Sequence, residues 1–102
     1  MWIKDKYEGF GVSDKIEVID YAAYYVMLAG LSQKQTQQAI DYFVDLGLTS
    51  DDKYVRYTAY RALFRLDQLP GVREEREKVI SAEKDSFLSE VYSGWESSLS
   101  GQ

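Results

Sequence analysis

Lys53, Tyr57, Arg61 and Arg65 recur at four-residue intervals in the stretch DDKYVRYTAYRALFRL, and in a helix that spacing sets them along one stripe. Cations in a row can neutralise phosphates, and a tyrosine among them can stack on a base, which makes the stripe a candidate nucleic-acid surface. Four charges from one helix supply few phosphate contacts, however, and a net charge of −5 repels polyanions at large. The stripe reads better as the flank of an amphipathic helix, with tyrosines over apolar seams and hydroxyls in water, and nucleic acid is not expected as a partner. The other residues of chemical promise are carboxylates: Asp51 and Asp52, then Glu74, Glu75 and Glu77. By type alone they could ligate a metal or exchange protons, but capping and helix-dipole complementation account for them more cheaply.

The chain has no cysteine and no histidine, which removes thiol and imidazole nucleophiles, imidazole bases and thiolate or imidazole metal sites. A non-catalytic protein is therefore expected, with no cofactor and no metal. Tyr21, Tyr24 and Tyr25, together with Tyr42, suggest another kind of function, because tyrosine is enriched where proteins meet. They either complete a small core or contact a neighbouring domain, and the expected partner is a protein.

A length of 102 residues with 45% hydrophobic side chains is enough for one domain with a modest core, whether free-standing or part of something larger. Charge is uneven along it. Residues 1–52 hold four cations and nine anions, 53–78 seven and four, and 79–102 one and four. The longest apolar run, YAAYYVMLA, is shorter than the roughly 18 residues a spanning helix needs. MWIKDKYEGFGVSDK has no hydrophobic segment of the signal-peptide kind, and the compartment stays open. Gly9 and Gly11 lack the strand–turn–helix setting of a phosphate loop.

The elements that must position these side chains are helical. Residues 1–12 form a lead-in segment whose Trp2, Tyr7 and Phe10 could pack on the first helix. Ser13 is an N-cap with Asp14 and Glu17 behind it, Ile16, Ile19, Ala23, Val26 and Met27 recur at helical spacing, and Gly30 supplies a left-handed stop. Ser32 and Gln35 are spaced for a capping box; Ala39, Ile40, Phe43 and Val44 make the next face, and Gly47 stops it. Thr49 and Asp52 have capping-box spacing ahead of a third helix, 51–67. Pro70 and Gly71 break the chain before a fourth, 71–93, with REEREK on its surface and Val79, Ile80, Phe87 and Val91 inward. Gly94 ends it and 94–102 reads as a tail. Short turns pair these four helices into two antiparallel hairpins, 13–47 and 51–93, and no stretch alternates with the period of a strand.

Each hairpin is roughly 40 residues, a length typical of helical solenoids. In the second, the order D-x-x-V-R-x-x-A-x-x-A-L is met by Asp52, Val55, Arg56, Ala59, Ala62 and Leu63. This pattern resembles the first helix of a HEAT-like repeat. The resemblance implies an all-α, HEAT/armadillo-like right-handed superhelical stack over 13–93, with Val55, Ala59, Ala62 and Leu63 in a buried seam and Asp52 and Arg56 pairing between helices or repeats. The first hairpin departs from the pattern, having Tyr21 to Ala23 where the V-R pair would stand. YVRYTAYRALFRL followed by REEREKVISAEKDSFLSEVYSGW is also similar to the C-terminal helical segment of bacterial aminopeptidase N-like zinc metallopeptidases. That resemblance implies a non-catalytic accessory domain, since the H-E-x-x-H motif is absent from this sequence. The interaction surface expected from the residues is Tyr21, Tyr24, Tyr25, Lys53, Tyr57, Arg61 and Arg65; a free-standing helical-repeat protein-binding adaptor is the alternative, with a HEAT-like nucleic-acid-binding module ranked below it.

Overall fold

The computed structural model describes residues 12–100, and the lead-in residues Trp2, Tyr7 and Phe10 lie outside that range. Five helices follow one another: α1 Val12–Leu28, α2 Gln33–Thr49, α3 Lys53–Arg65, α4 Val72–Ala82 and α5 Ser86–Ser100. The described residues contain no strand. All-α is thus correct, while the expected fourth helix is two helices, broken at Glu83–Asp85.

Local chemistry explains most boundaries. Gly30, at φ 62°, turns the chain out of α1 in a conformation that other residues rarely adopt. Ser32 and Gln35 then close the expected capping box, with the Gln35 amide donating to Ser32 Oγ at 3.2 Å and the Ser32 amide to Gln35 Oε1 at 3.2 Å. Asp52 caps α3, not Thr49: its Oδ1 accepts from the amides of Tyr54 at 2.8 Å and Val55 at 3.2 Å. Gly71, at φ 82°, precedes α4, so Pro70 lies in the turn and not in the helix. Ser13 lies within α1, not ahead of it.

The break before α5 carries no glycine or proline. It is made by Asp85, whose Oδ1 accepts the Leu88 amide at 3.0 Å, while its own amide donates to Glu83 Oε2 at 3.0 Å. Restarting the helix there changes its phase. Leu88 and Tyr92 are buried and Trp95 packs on the core, so Phe87, expected inside, points outward at 66% exposure. In the same way Ile19, Ala22, Ala23 and Val26 set the inner face of α1, and Met27, one step off that face, is exposed.

Helix α3 is the hub, touching α1, α2, α4 and α5, and α1 packs more on α3 than on its sequence neighbour α2. Its Val55, Ala59, Ala62 and Leu63 are all buried, in one core with Ala22, Ala23 and Ala39. Cα atoms span 33 × 29 × 17 Å, a thickness suited to two helix layers.

Two glycines expected as stops lie inside helices. Gly47 in α2 faces Val79 of α4, where an added Cβ would sit 2.9 Å from a valine methyl. Gly94 in α5 has nothing within 4 Å of such a Cβ. The two positions respond to alanine in opposite directions. Gly94→Ala gains helix propensity of about 1 kcal/mol and raises the melting temperature by about 4–8 °C. Gly47→Ala overpacks a β-branched neighbour and lowers it, and Val79→Ala partly rescues Gly47→Ala in a double-mutant cycle followed by thermal unfolding.

Candidate functional site

Arg76 belongs to the REEREK run expected on the solvated surface, yet it is fully buried. Its Nε and Nη2 donate to Glu96 at 2.8 and 3.1 Å, and Nη1 pairs with Asp67 Oδ1 at 2.7 Å. Tyr60 Oη donates to the same Glu96 carboxylate at 2.7 Å, and its ring stacks on Tyr92 with centroids 4.1 Å apart. Phe64 lies 5.5 Å from the guanidinium carbon, with Trp95 edge-on behind it at 4.8 Å. Burial lowers the Arg76 pKa, but the bonds to Glu96 and Asp67 outweigh that and hold it above the ordinary arginine value. Burial raises Glu96, and the Arg76 and Tyr60 hydrogen bonds reverse this to a net depression; Asp67 is depressed first of all by its bond to Arg76. Burial, then the bond to Glu96, raises the Tyr60 hydroxyl. The cluster pairs one unexposed guanidinium with two carboxylates that are about a quarter exposed.

Arg56 does not take Asp52, which is committed to the α3 cap. It takes Glu83 through Nε and Nη2 at 3.0 and 3.1 Å, and Nη1 donates to the carbonyls of Ser50 and Asp51 at 2.9 and 3.3 Å. The bond to Glu83 raises its pKa against the cost of burial. Arg56 thereby ties the α2–α3 turn to the α4–α5 turn. The open cleft between those turns is about 320 Å³, lined by Leu48, Asp51, Arg56, Glu83 and Lys84 among others, and its arginine is already occupied.

The four-residue stripe divides. Lys53 is exposed, 5.7 Å from the Tyr54 ring centroid. Tyr57 is half-buried, edge-on to Trp95 at 6.1 Å. Arg61 and Arg65 reach across to α1 and share Asp20, at 2.5 and 3.1 Å, an arrangement unforeseen because the partner lies 41 and 45 residues away. Arg65 also sits 4.9 Å from the ring centroid of Tyr24. Two of the three cations in the stripe are therefore engaged in fastening α1 to α3.

The tyrosines of α1 face solvent. Tyr21 is 74% exposed, Tyr24 50% and Tyr25 53%, and Leu28, absent from the expected surface, is 80% exposed. Positions 21, 24, 25 and 28 form one helical stripe opposite the buried 19, 22, 23 and 26. Leu28 was legible by the same periodicity. Among the described residues no three acidic side chains gather as a metal site requires, and no helix is long and apolar enough to cross a membrane.

The Arg76 cluster sets an acid response. Asp67 and Glu96 lie below their unfolded pKa of about 4, so the stability they confer is complete above that value and is lost as pH falls through the depressed folded values. Between about pH 5 and 3 the wild-type melting temperature falls, and Glu96→Gln shows a shallower fall. Arg76→Met strands two carboxylates and costs about 3–5 kcal/mol near neutrality; its stability rises on mild acidification, as urea unfolding at a series of pH values would record.

No protein-family model, curated protein or solved structure matches this chain.

Proposed function

We propose that the chain is a non-catalytic helical-repeat interaction module that docks on a protein partner through α1. The sequence resemblance names that partner as the rest of a zinc aminopeptidase-like protein, including its catalytic domain. One observation supports docking by α1 above all: of the eight exposed large apolar side chains among the described residues, five (Tyr21, Tyr24, Tyr25, Met27 and Leu28) are on this one helix, against Leu48 on α2, Tyr54 on α3 and Phe87 on α5. Helical stacks need a polar outer face at a free end. The exposed positions of α5, apart from Phe87, include Glu90, Ser93, Ser97 and Ser98, a composition suited to such a cap. Those of α1, apart from Glu17, are apolar and aromatic, suited to being covered.

In this role the mechanism is shape. Helix α3 holds α1 by an alanine-lined contact and by the Asp20 pairs, so the tyrosine stripe is presented on a rigid support. The partner gains aromatic contact area from side chains of few rotatable bonds.

The genomic reading frame around this sequence is expected to encode H-E-x-x-H and a distal glutamate upstream. The separately produced upstream portion is expected to bind the chain, and Tyr21→Ser with Leu28→Ser to weaken that binding by at least about tenfold, or 1.4 kcal/mol, with helicity unchanged by circular dichroism. A frame without the zinc motif removes the peptidase assignment. Binding indifferent to the two substitutions removes α1 as the docking face.

A further inference from the structure

Where α1 meets α3, two arginines face one carboxylate. Arg61 Nη2 and Arg65 Nη1 each donate one hydrogen bond to Asp20, at 2.5 and 3.1 Å. A guanidinium carries five N–H donors, so most of this pair's capacity is left over and the trio keeps a net positive charge. The Arg61 and Arg65 side chains remain 26% and 29% exposed. Arg76 provides the contrast: one guanidinium, itself unexposed, against two carboxylates.

The under-neutralised pair borders the apolar stripe. Arg65 lies 4.9 Å from the ring centroid of Tyr24, which is itself half exposed and belongs to the stripe with Tyr21 and Leu28. Any protein that covers the stripe strips water from its edge. An arginine pair with half its charge unmatched is costly in a dry interface, and a carboxylate removes the cost by accepting from the spare forks.

We infer that the protein docking on α1 presents an Asp or Glu side chain, set among apolar residues, to Arg61 and Arg65. The inference rests on docking by α1 and adds the chemistry of the partner. Phosphate of a nucleic acid is the rival acceptor, and the net charge of the whole chain opposes it, with 17 Asp and Glu against 12 Lys and Arg.

The test uses fluorescence anisotropy with the full chain and three probes: two synthetic amphipathic helical peptides with the same leucine ladder, one with a central Glu and one with a central Lys, and a short single-stranded oligonucleotide. At about 50 mM salt the Glu peptide is expected to bind at least about tenfold more tightly than the Lys peptide. The preference should shrink at about 300 mM salt and in Arg61→Gln/Arg65→Gln. Equal affinities, a preference that survives the arginine substitutions, no binding of either peptide, or tighter binding of the oligonucleotide would each overturn the inference. Equal affinities that fall together in Tyr21→Ser/Leu28→Ser would remove the acidic partner and leave docking by α1 standing. The peptide comparison is made on the unaltered chain, so it does not depend on how the arginine variants fold.

Discussion

A guanidinium fully removed from water constrains everything around it. Arg76 can stay charged only if carboxylates reach it, and they come from two other parts of the chain: Asp67 in the turn after α3 and Glu96 in α5. The turn and the last helix are thereby located relative to α4. Tyr60 adds the third element, since its hydroxyl bonds Glu96 from α3. Such a cluster does not have to add net stability, because a hydrocarbon of the same shape can do as well; its effect is to make alternative packings of α4 and α5 expensive. It also explains why α5 runs through Gly94 to Ser100: Trp95 and Glu96 are anchored beyond the glycine, and their contacts outweigh a propensity cost of about 1 kcal/mol.

The two ends of the molecule are held on α3 by different physics. At the α5 end a fully buried guanidinium pairs with two carboxylates a quarter exposed, and aromatic rings of Tyr60, Tyr92, Phe64 and Trp95 fill the space about it. At the α1 end buried alanines allow close approach, and the ion pairs with Asp20 are a quarter or more exposed and open to screening. Salt screens the part-exposed arginines that pair with Asp20, and acid discharges the carboxylates that face Arg76.

Helical class, the capping box at Ser32, the stop at Gly30 and the α3 seam were legible in the sequence because each depends on neighbours three or four residues away. The fourth helix was misjudged because its break depends on Asp85, a side chain that competes for backbone amides without the signature of glycine or proline. Gly47 misled in the other direction: its lack of a side chain serves Val79 across a helix contact and not a turn. The burial of Arg76 and the sharing of Asp20 were out of reach, since the partners are 20, 41 and 45 residues distant and REEREK looks alike whichever arginine turns inward. Of the candidate surface, Tyr21, Tyr24 and Tyr25 are exposed on α1, whereas the pairing of Arg61 and Arg65 was missed because charge counted along a helix says nothing of what neutralises it.

Tyrosine on α1, where leucine would be the ordinary apolar choice, bears on what the face is for. A leucine stripe of this size left in water favours indiscriminate association, whereas a phenol keeps its hydroxyl hydrated while its ring remains available for contact. Leu28, at the C-terminal end of the stripe, is its most exposed member and supplies purely apolar area. Arg65 lies over Tyr24, 4.9 Å from its ring centroid, and a ring held by a cation would lose less entropy in the docking proposed for α1. A stripe of hydrated rings, partly pre-ordered by a cation with donors to spare, is suited to a surface that is covered by a specific neighbour and tolerates water until then.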